Sequence, residues 1–227
     1  MTHKNIFARL AVVIFAMTIS LNMTAENKKL PAPDTTGGMP MNSVVAQRHS
    51  VREFDPAKAV DDATLGQLLW MAVGVNRPDA KPSRFGVPAN RCNPTALNWQ
   101  EIHAYVFGLG GVYKYLPDTH SLALVKEGDH RALLAGTPEF AQDFVMNAPY
   151  TILLVADMAE LPDGERTKAM ALVDAGIACE NINLACTSLG LATVPRATMD
   201  SEAISKLLGL NARQLPVINN PVGYAAE

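Results

Sequence analysis

Arg48-His49-Ser50-Val51-Arg52-Glu53-Phe54 is the stretch that decides how this chain is read. Two arginines, a histidine and a serine fall within five residues, preceded by Val44-Val45 and closed by Phe54. A guanidinium is a planar fork of donors that fits two phosphate oxygens. In an extended segment, alternation sends Arg48, Ser50 and Arg52 to one side, where a single phosphate can collect all three. A solvated basic segment ahead of a helix accounts for the composition equally well. Residue pattern alone leaves the two readings open.

Upstream of this stretch the chain reads as an address followed by a tether. Lys4 and Arg9 supply positive charge, residues 10–21 are an almost unbroken apolar run, and Met23-Thr24-Ala25 ends in a small residue. That is the pattern of a secretory signal over residues 1–25, with an uncleaved N-terminal anchor as the alternative; the run is short for a membrane span, which needs roughly 20 residues. No cysteine stands at the expected cleavage point and no twin-arginine pair precedes the run. Residues 26–40 are polar and carry Pro31, Pro33, Gly37 and Gly38, the composition of a flexible linker. Residues 41–227 are long enough for one domain with a sizeable core.

Taking Lys4 and Arg9 from the 19 basic side chains leaves 17 against 22 acidic ones, a formal charge of −5. A nucleic-acid surface needs a clustered basic excess, so that class is excluded. Cys179 and Cys186 share a helical face but lie about 10 Å apart along the axis, beyond disulfide reach. They read as small buried hydrophobes, and Cys92 sits in a loop with no base visible beside it. His3, His49, His103, His120 and His130 show no metal-ligand spacing, and no Ser/His/Asp triad or P-loop occurs.

Downstream, Asp61 or Asp62 is placed to cap a helix whose apolar positions are Leu65, Leu68, Leu69, Ala72 and Val73. Residues 77–94 carry four prolines and read as a loop. Residues 102–107, 112–115 and 122–125 read as strands, 129–135 and 138–146 as helices, and 150–156 as a strand buried on both faces. Residues 165–189 form the longest helical stretch, rich in small side chains. Residues 192–194 read as a short strand, 201–208 as a capped helix ended by Gly209, and 215–218 as the last strand. The class is α+β, with helices around a mixed, mostly antiparallel sheet.

The order of these pieces resembles the nitroreductase family of FMN-binding flavoenzymes. The Arg48–Phe54 stretch is similar to its opening motif, and Asn93-Pro94-Thr95-Ala96-Leu97-Asn98-Trp99-Gln100 to its second flavin segment. The strand at 150–156, the helix opening at Asp174-Ala175-Gly176-Ile177-Ala178, the stretch Leu189-Gly190-Leu191-Ala192-Thr193-Val194-Pro195 and Pro221-Val222-Gly223-Tyr224 follow in the family's order. The resemblance covers roughly residues 43–224. It implies a dimeric nitroreductase-like fold, with Arg48, His49 and Ser50 on the FMN phosphate and ribityl chain and Arg52 near the pyrimidine edge. A satisfied structural histidine is an equal alternative for His49. The resemblance also implies a flavin contact for Asn98, and a main-chain N–H from the Pro195-Arg196-Ala197 loop beside flavin N5.

Two departures stand out. Arg196-Ala197 replaces the acidic or glycine-rich pair that follows this proline in many relatives. The basic tail that many relatives place on the phosphate is not seen after Tyr224, so Arg196 is drawn toward the phosphate in its place. Tyr113-Lys114-Tyr115, in Gly111-Val112-Tyr113-Lys114-Tyr115-Leu116-Pro117, resembles a feature of the thiazole/oxazole-forming dehydrogenase branch and is a candidate substrate-pocket rim; a plain hairpin with exposed aromatics is the alternative. The family chemistry is carried by the flavin, with no catalytic side chain and no metal. The expectation is an exported, homodimeric FMN oxidoreductase. It takes hydride from NAD(P)H and reduces nitroaromatic or quinone-type acceptors in a ping-pong cycle. The alternatives are flavin-dependent oxidation of a peptide or small molecule, or flavin binding without turnover.

Overall fold

The computed structural model describes residues 26–82, 87 and 90–227. The targeting segment expected at 1–25 lies outside the described residues. A two-residue strand, β1 (Lys28–Lys29), opens the described chain, followed by α1 (Met41–Gln47) and α2 (Asp62–Val73). Asp61 caps α2, its carboxylate accepting from the Thr64 N–H at 2.8 Å. Leu65, Leu68, Leu69, Ala72 and Val73 are all buried, as their spacing requires. Truncating a leucine such as Leu68 to alanine typically costs about 2–5 kcal/mol.

A small ribbon of β2 (Val75–Arg77) and β3 (Asn90–Arg91) leads to β4 (Ile102–Gly108), β5 (Gly111–Leu116) and β6 (Ser121–Glu127). Then come α3 (Ala132–Ala135), β7 (Gly136–Thr137), β8 (Phe140–Ala141), β9 (Tyr150–Asp157), α4 (Glu165–Ser188), β10 (Ala192–Thr193), α5 (Ser201–Leu208) and β11 (Gln214–Gly223). The main sheet has seven strands in the order β1-β6-β5-β4-β9-β11-β10. Every pairing in it is antiparallel, so the mixed character expected from sequence does not appear among the described residues. Alternate residues of β4 and β9 feed two cores. Ile102, Ala104, Val106, Ile152 and Leu154 pack under α2 and α4. Tyr105, Phe107, Leu153 and Val155 pack with Leu134 of α3 and Ile204 of α5.

Three local expectations are corrected. Residues 26–40 are not a free tether over their whole length. β1 pairs with β6, Leu30 enters the core, the His120 ring holds the Pro31 carbonyl at 2.9 Å, and Gln67 bonds both N–H and C=O of Asp34. Backbone groups and a single leucine do this, so the polar composition concealed it. The helix expected at 138–146 is instead the β7–β8 hairpin and a 3-10 turn over Asp143–Asn147. Gly136 lies at φ 152°, and a Cβ there would come 2.1 Å from the Phe140 carbonyl oxygen, a contact only glycine avoids. The last strand runs well past 215–218. It passes Pro216 at a register shift and carries Pro221 opposite Thr151.

Candidate active site

The opening segment is held as an extra extended ribbon beside the sheet. The Arg48 N–H closes α1 on the Val44 carbonyl, and the Val51 N–H donates to Thr193 of β10 at 3.0 Å. Phe54 bridges to Ala225, and Asp55 and Ala226 exchange backbone bonds with Tyr224 and Glu53. Phe54 is the anchor: it is buried and stacks on Phe144 with ring centroids 6.4 Å apart. His49 and Val51 line a cleft against Thr187 and Leu191, whereas Arg48, Ser50 and Arg52 do not, as alternation demands. His49 Nδ1 lies 2.7 Å from the Gln47 carbonyl oxygen. One nitrogen of this exposed imidazole is thus locally engaged, and the ring lies on the other side from Arg48 and Ser50. The side chains of Arg48, Ser50 and Arg52 make no hydrogen bond or ion pair among the described residues.

Arg196 lies close enough to Arg52 to feel its charge, but it is turned inward. Its Nε donates to Gln142 Oε1 at 2.7 Å, Nη1 to the Leu134 carbonyl and Asn219 Oδ1 at 2.7 and 2.8 Å, and Nη2 to the Ala135 carbonyl at 3.0 Å. Burial first, and repulsion from Arg52 second, pull its pKa down to about 10. No carboxylate lies within ion-pair distance of it among the described residues. Most of its donor fork is committed to the fold, so it does not stand in for a phosphate-binding tail. Its main-chain N–H is also used, on the Asn219 carbonyl at 2.8 Å. Pro195 has no N–H. The free donor in this exposed loop is Ala197, whose N–H has no partner among the described residues.

The second expected segment is a clamped, strained turn. Leu97, Asn98 and Gln100 all have positive φ, at 53°, 57° and 57°. Asp174 of α4 accepts the Ala96 N–H at 2.7 Å, Thr95 Oγ1 accepts the Gln100 N–H, and Arg91 Nε donates to Gln100 Oε1. Asn98 is partly engaged already, donating to Asn90 and accepting from Gln100. Asn93 is an orphan: it is 3% exposed, and neither its amide nitrogen nor its oxygen has a partner among the described residues. Residue patterning singled out Asn98 and passed over Asn93, whose visible signal was the Asn-Pro dipeptide. It also missed Glu101, buried beside Asp174. Burial above all, then the neighbouring Asp174 carboxyl, push the Glu101 pKa up to about 8 against the opposing pull of Arg91.

The two segments do not meet within one chain. Thr193, which holds the opening segment, aligns across the sheet with Val222, Tyr150 and Gly108. The second segment enters β4 at its other end, Ile102, roughly 20 Å away along the strand.

A family model described as the nitroreductase family matches residues 45–224. The chain belongs to the nitroreductase family. It is 27% identical over 191 residues to a protein of Methanocaldococcus jannaschii provisionally named a nitroreductase, covering 82% of this chain and 92% of that one. A crystal structure from Ralstonia eutropha, also provisionally titled a nitroreductase, superposes with a TM-score of 0.76 at 31% identity, over 99% of this chain and 97% of that one. The Escherichia coli microcin synthetase complex with truncated pro-microcin bound shares the fold, at TM-score 0.63 and 18% identity over 97% and 85% of the two chains. The chain is therefore an oxidoreductase of this family, in which flavin dependence is general.

The donor set of this nitroreductase-family chain fits a phosphorylated, electron-accepting group: two unpaired guanidinium groups, a buried third without a carboxylate, and a free loop N–H. The proposed rim is divided. Tyr113 is partly exposed, Lys114 sits 5.9 Å over the Tyr105 ring, and Tyr115 is a core residue bonded to His120 at 2.8 Å. Tyr115 is thus removed from the substrate rim. Its place on β5 alternates with Lys114, so its ring faces the core under α2. No cluster of metal-binding side chains occurs among the described residues. Cys179 and Cys186 are buried, and burial pushes the thiol of Cys92 up to about 11, so none is poised as a nucleophile.

Proposed function

We propose that the chain is an exported FMN-dependent reductase, working as a homodimer in which each flavin lies between an opening segment and a second segment of different subunits. The observation that carries this reading is the cluster of Arg48, Arg52 and Arg196 with no acidic partner. The separation of the two segments within one chain supports the shared site. So do the exposed apolar side chains of Leu172 and Val173 on α4 and of Leu97 on the strained turn, which the Asp174–Ala96 bond ties to α4. Twofold dimers are the commonest closed assembly.

Bound FMN supplies hydride acceptance and donation at N5. The chain's part is to hold and bias it. Arg48 and Ser50 take the phosphate, Arg52 and the buried Arg196 favour the reduced, more negative form, and the Ala197 N–H is the loop donor. A nicotinamide donor and a nitroaromatic or quinone acceptor then use one pocket in turn, which gives ping-pong kinetics.

The decisive experiment is the visible spectrum of the purified protein before and after anaerobic NAD(P)H. Flavin colour that bleaches supports the reductase; colour that persists leaves flavin-dependent oxidation as the reading, and colourless protein removes both. Arg48→Ala is expected to lose FMN on desalting while keeping the fold intact, since a charged phosphate contact is worth about 2–5 kcal/mol when desolvated. Equal flavin retention would take Arg48 out of the site. Light scattering on protein lacking residues 1–25 is expected to give a dimer. A monomer that still holds FMN would defeat the shared cleft.

A further inference from the structure

A second pocket lies at the sheet end where β4 turns into β5, under the N-terminus of α2. Its volume is about 330 Å³, at the small end of ligand sites. Its walls are the buried side chains of Val60, Leu65, Val106 and Leu122. Its polar groups are gathered at one side: the phenols of Tyr113 and Tyr150, and the ammonium of Lys28. Neither phenol hydroxyl has a hydrogen-bond partner among the described residues. Lys28 is within electrostatic reach of both, and only one of its acceptors is supplied by the chain, Asp62 Oδ1 at 2.6 Å.

The main chain leaves room for one of these rings: a Cβ on Gly108 would meet the Tyr150 ring at 2.9 Å. A lysine keeps two N–H groups beyond the one given to Asp62, and each phenol has one O–H to give. Donors outnumber acceptors at the mouth of an otherwise apolar hole, so the complementary head is one that only accepts.

We propose that this pocket binds a small amphiphilic carboxylate, its apolar body between α2 and the sheet and its head on Tyr113, Tyr150 and Lys28. Lys28, already paired with Asp62, offers the head its remaining N–H groups as hydrogen-bond donors. The pocket stands apart from the arginine cluster. Val51, next to that cluster, is bonded to Thr193 of β10, and Tyr150 lies two strand spacings away on β9, about 10 Å across the sheet.

The test is calorimetric titration of the purified full chain, with whatever flavin it carries, using octanoate, octan-1-ol and acetate as probes. Saturable binding of octanoate at one site per chain is expected, with octan-1-ol and acetate each at least about tenfold weaker. The Tyr113→Phe/Tyr150→Phe double variant should weaken octanoate about tenfold with an unchanged melting curve, since it removes only two hydroxyl groups. Ala59→Trp, at the exposed lip, should block binding without altering the core. Octan-1-ol binding as well as octanoate would overturn the head-group assignment. No saturable binding, undiminished binding in both variants, or release of flavin by octanoate would overturn the site. Binding retained by colourless protein would uphold this pocket while removing the flavin reading.

Discussion

Arg196→Leu will destabilise the folded chain by a few kcal/mol, because it strands several buried acceptors at once. The leucine is apolar and close to the stem in volume, so the loss is not one of packing. It arises because the Leu134 and Ala135 carbonyls, Gln142 Oε1 and Asn219 Oδ1 all aim at one guanidinium. Each buried acceptor left without a donor costs about 1–3 kcal/mol, softened where a water can enter. Arg196 also ties α3 and the β7–β8 hairpin to β11, so the loss should fall on the whole domain. Urea unfolding reads it directly. Arg196→Lys should recover only part, because a single ammonium cannot span four acceptors. A loss in Arg196→Leu of less than about 1 kcal/mol, the range of ordinary surface changes, would mean the arginine is not a structural tie.

Glu101 should make the chain less stable as pH rises from about 5 to 8. Its folded pKa is raised to about 8, against an ordinary glutamate value near 4.3 in the unfolded chain. Below the unfolded value both states carry the proton and the stabilisation is fully present. Between the two values the unfolded chain has released the proton and the folded chain keeps it. Stability then falls by about 1.4 kcal/mol per pH unit from this group, and the loss is complete once pH passes 8. Glu101→Gln keeps the shape and removes the titration. Its stability relative to wild type should therefore climb across this window. The same slope in both proteins would show that Glu101 is charged in the fold. Groups facing it are the Asp174 carboxyl on α4 and the Arg91 guanidinium on β3, and neither is changed by the substitution.

What could be read from sequence was whatever depends on neighbours in the chain. The Asp61 cap, the helical stripe of α2, the apolar run of β9 and the length of α4 are local patterns, and all stand as expected. The alternation of Arg48, Ser50 and Arg52 is local too. What could not be read depends on partners distant in sequence. Glu101 and Asp174 have no spacing that announces a pair, and Arg196 looked like an exposed loop cation because Pro195 and Ala197 on either side are exposed. Its inward turn follows from the bridge to Asn219, a contact no periodicity encodes. The helix expected at 138–146 failed because the tight hairpin is fixed by one glycine outside it.

Both borders of the main sheet are two-residue strands, β1 and β10. Self-association through open sheet edges needs a long row of free backbone donors and acceptors. Beyond β10, the remaining flank of β11 is interrupted by Pro216 and Pro221, which have no N–H to offer, and is bridged by Arg196. Beyond β1, the flank of β6 ends in Lys126-Glu127, charges that a stacking strand would have to strip of water. Short border strands, prolines and edge charges thus limit the template that either edge offers for fibril growth. Pro216 and Pro221, carried inside the last strand, are residues that keep the sheet from recruiting a stranger.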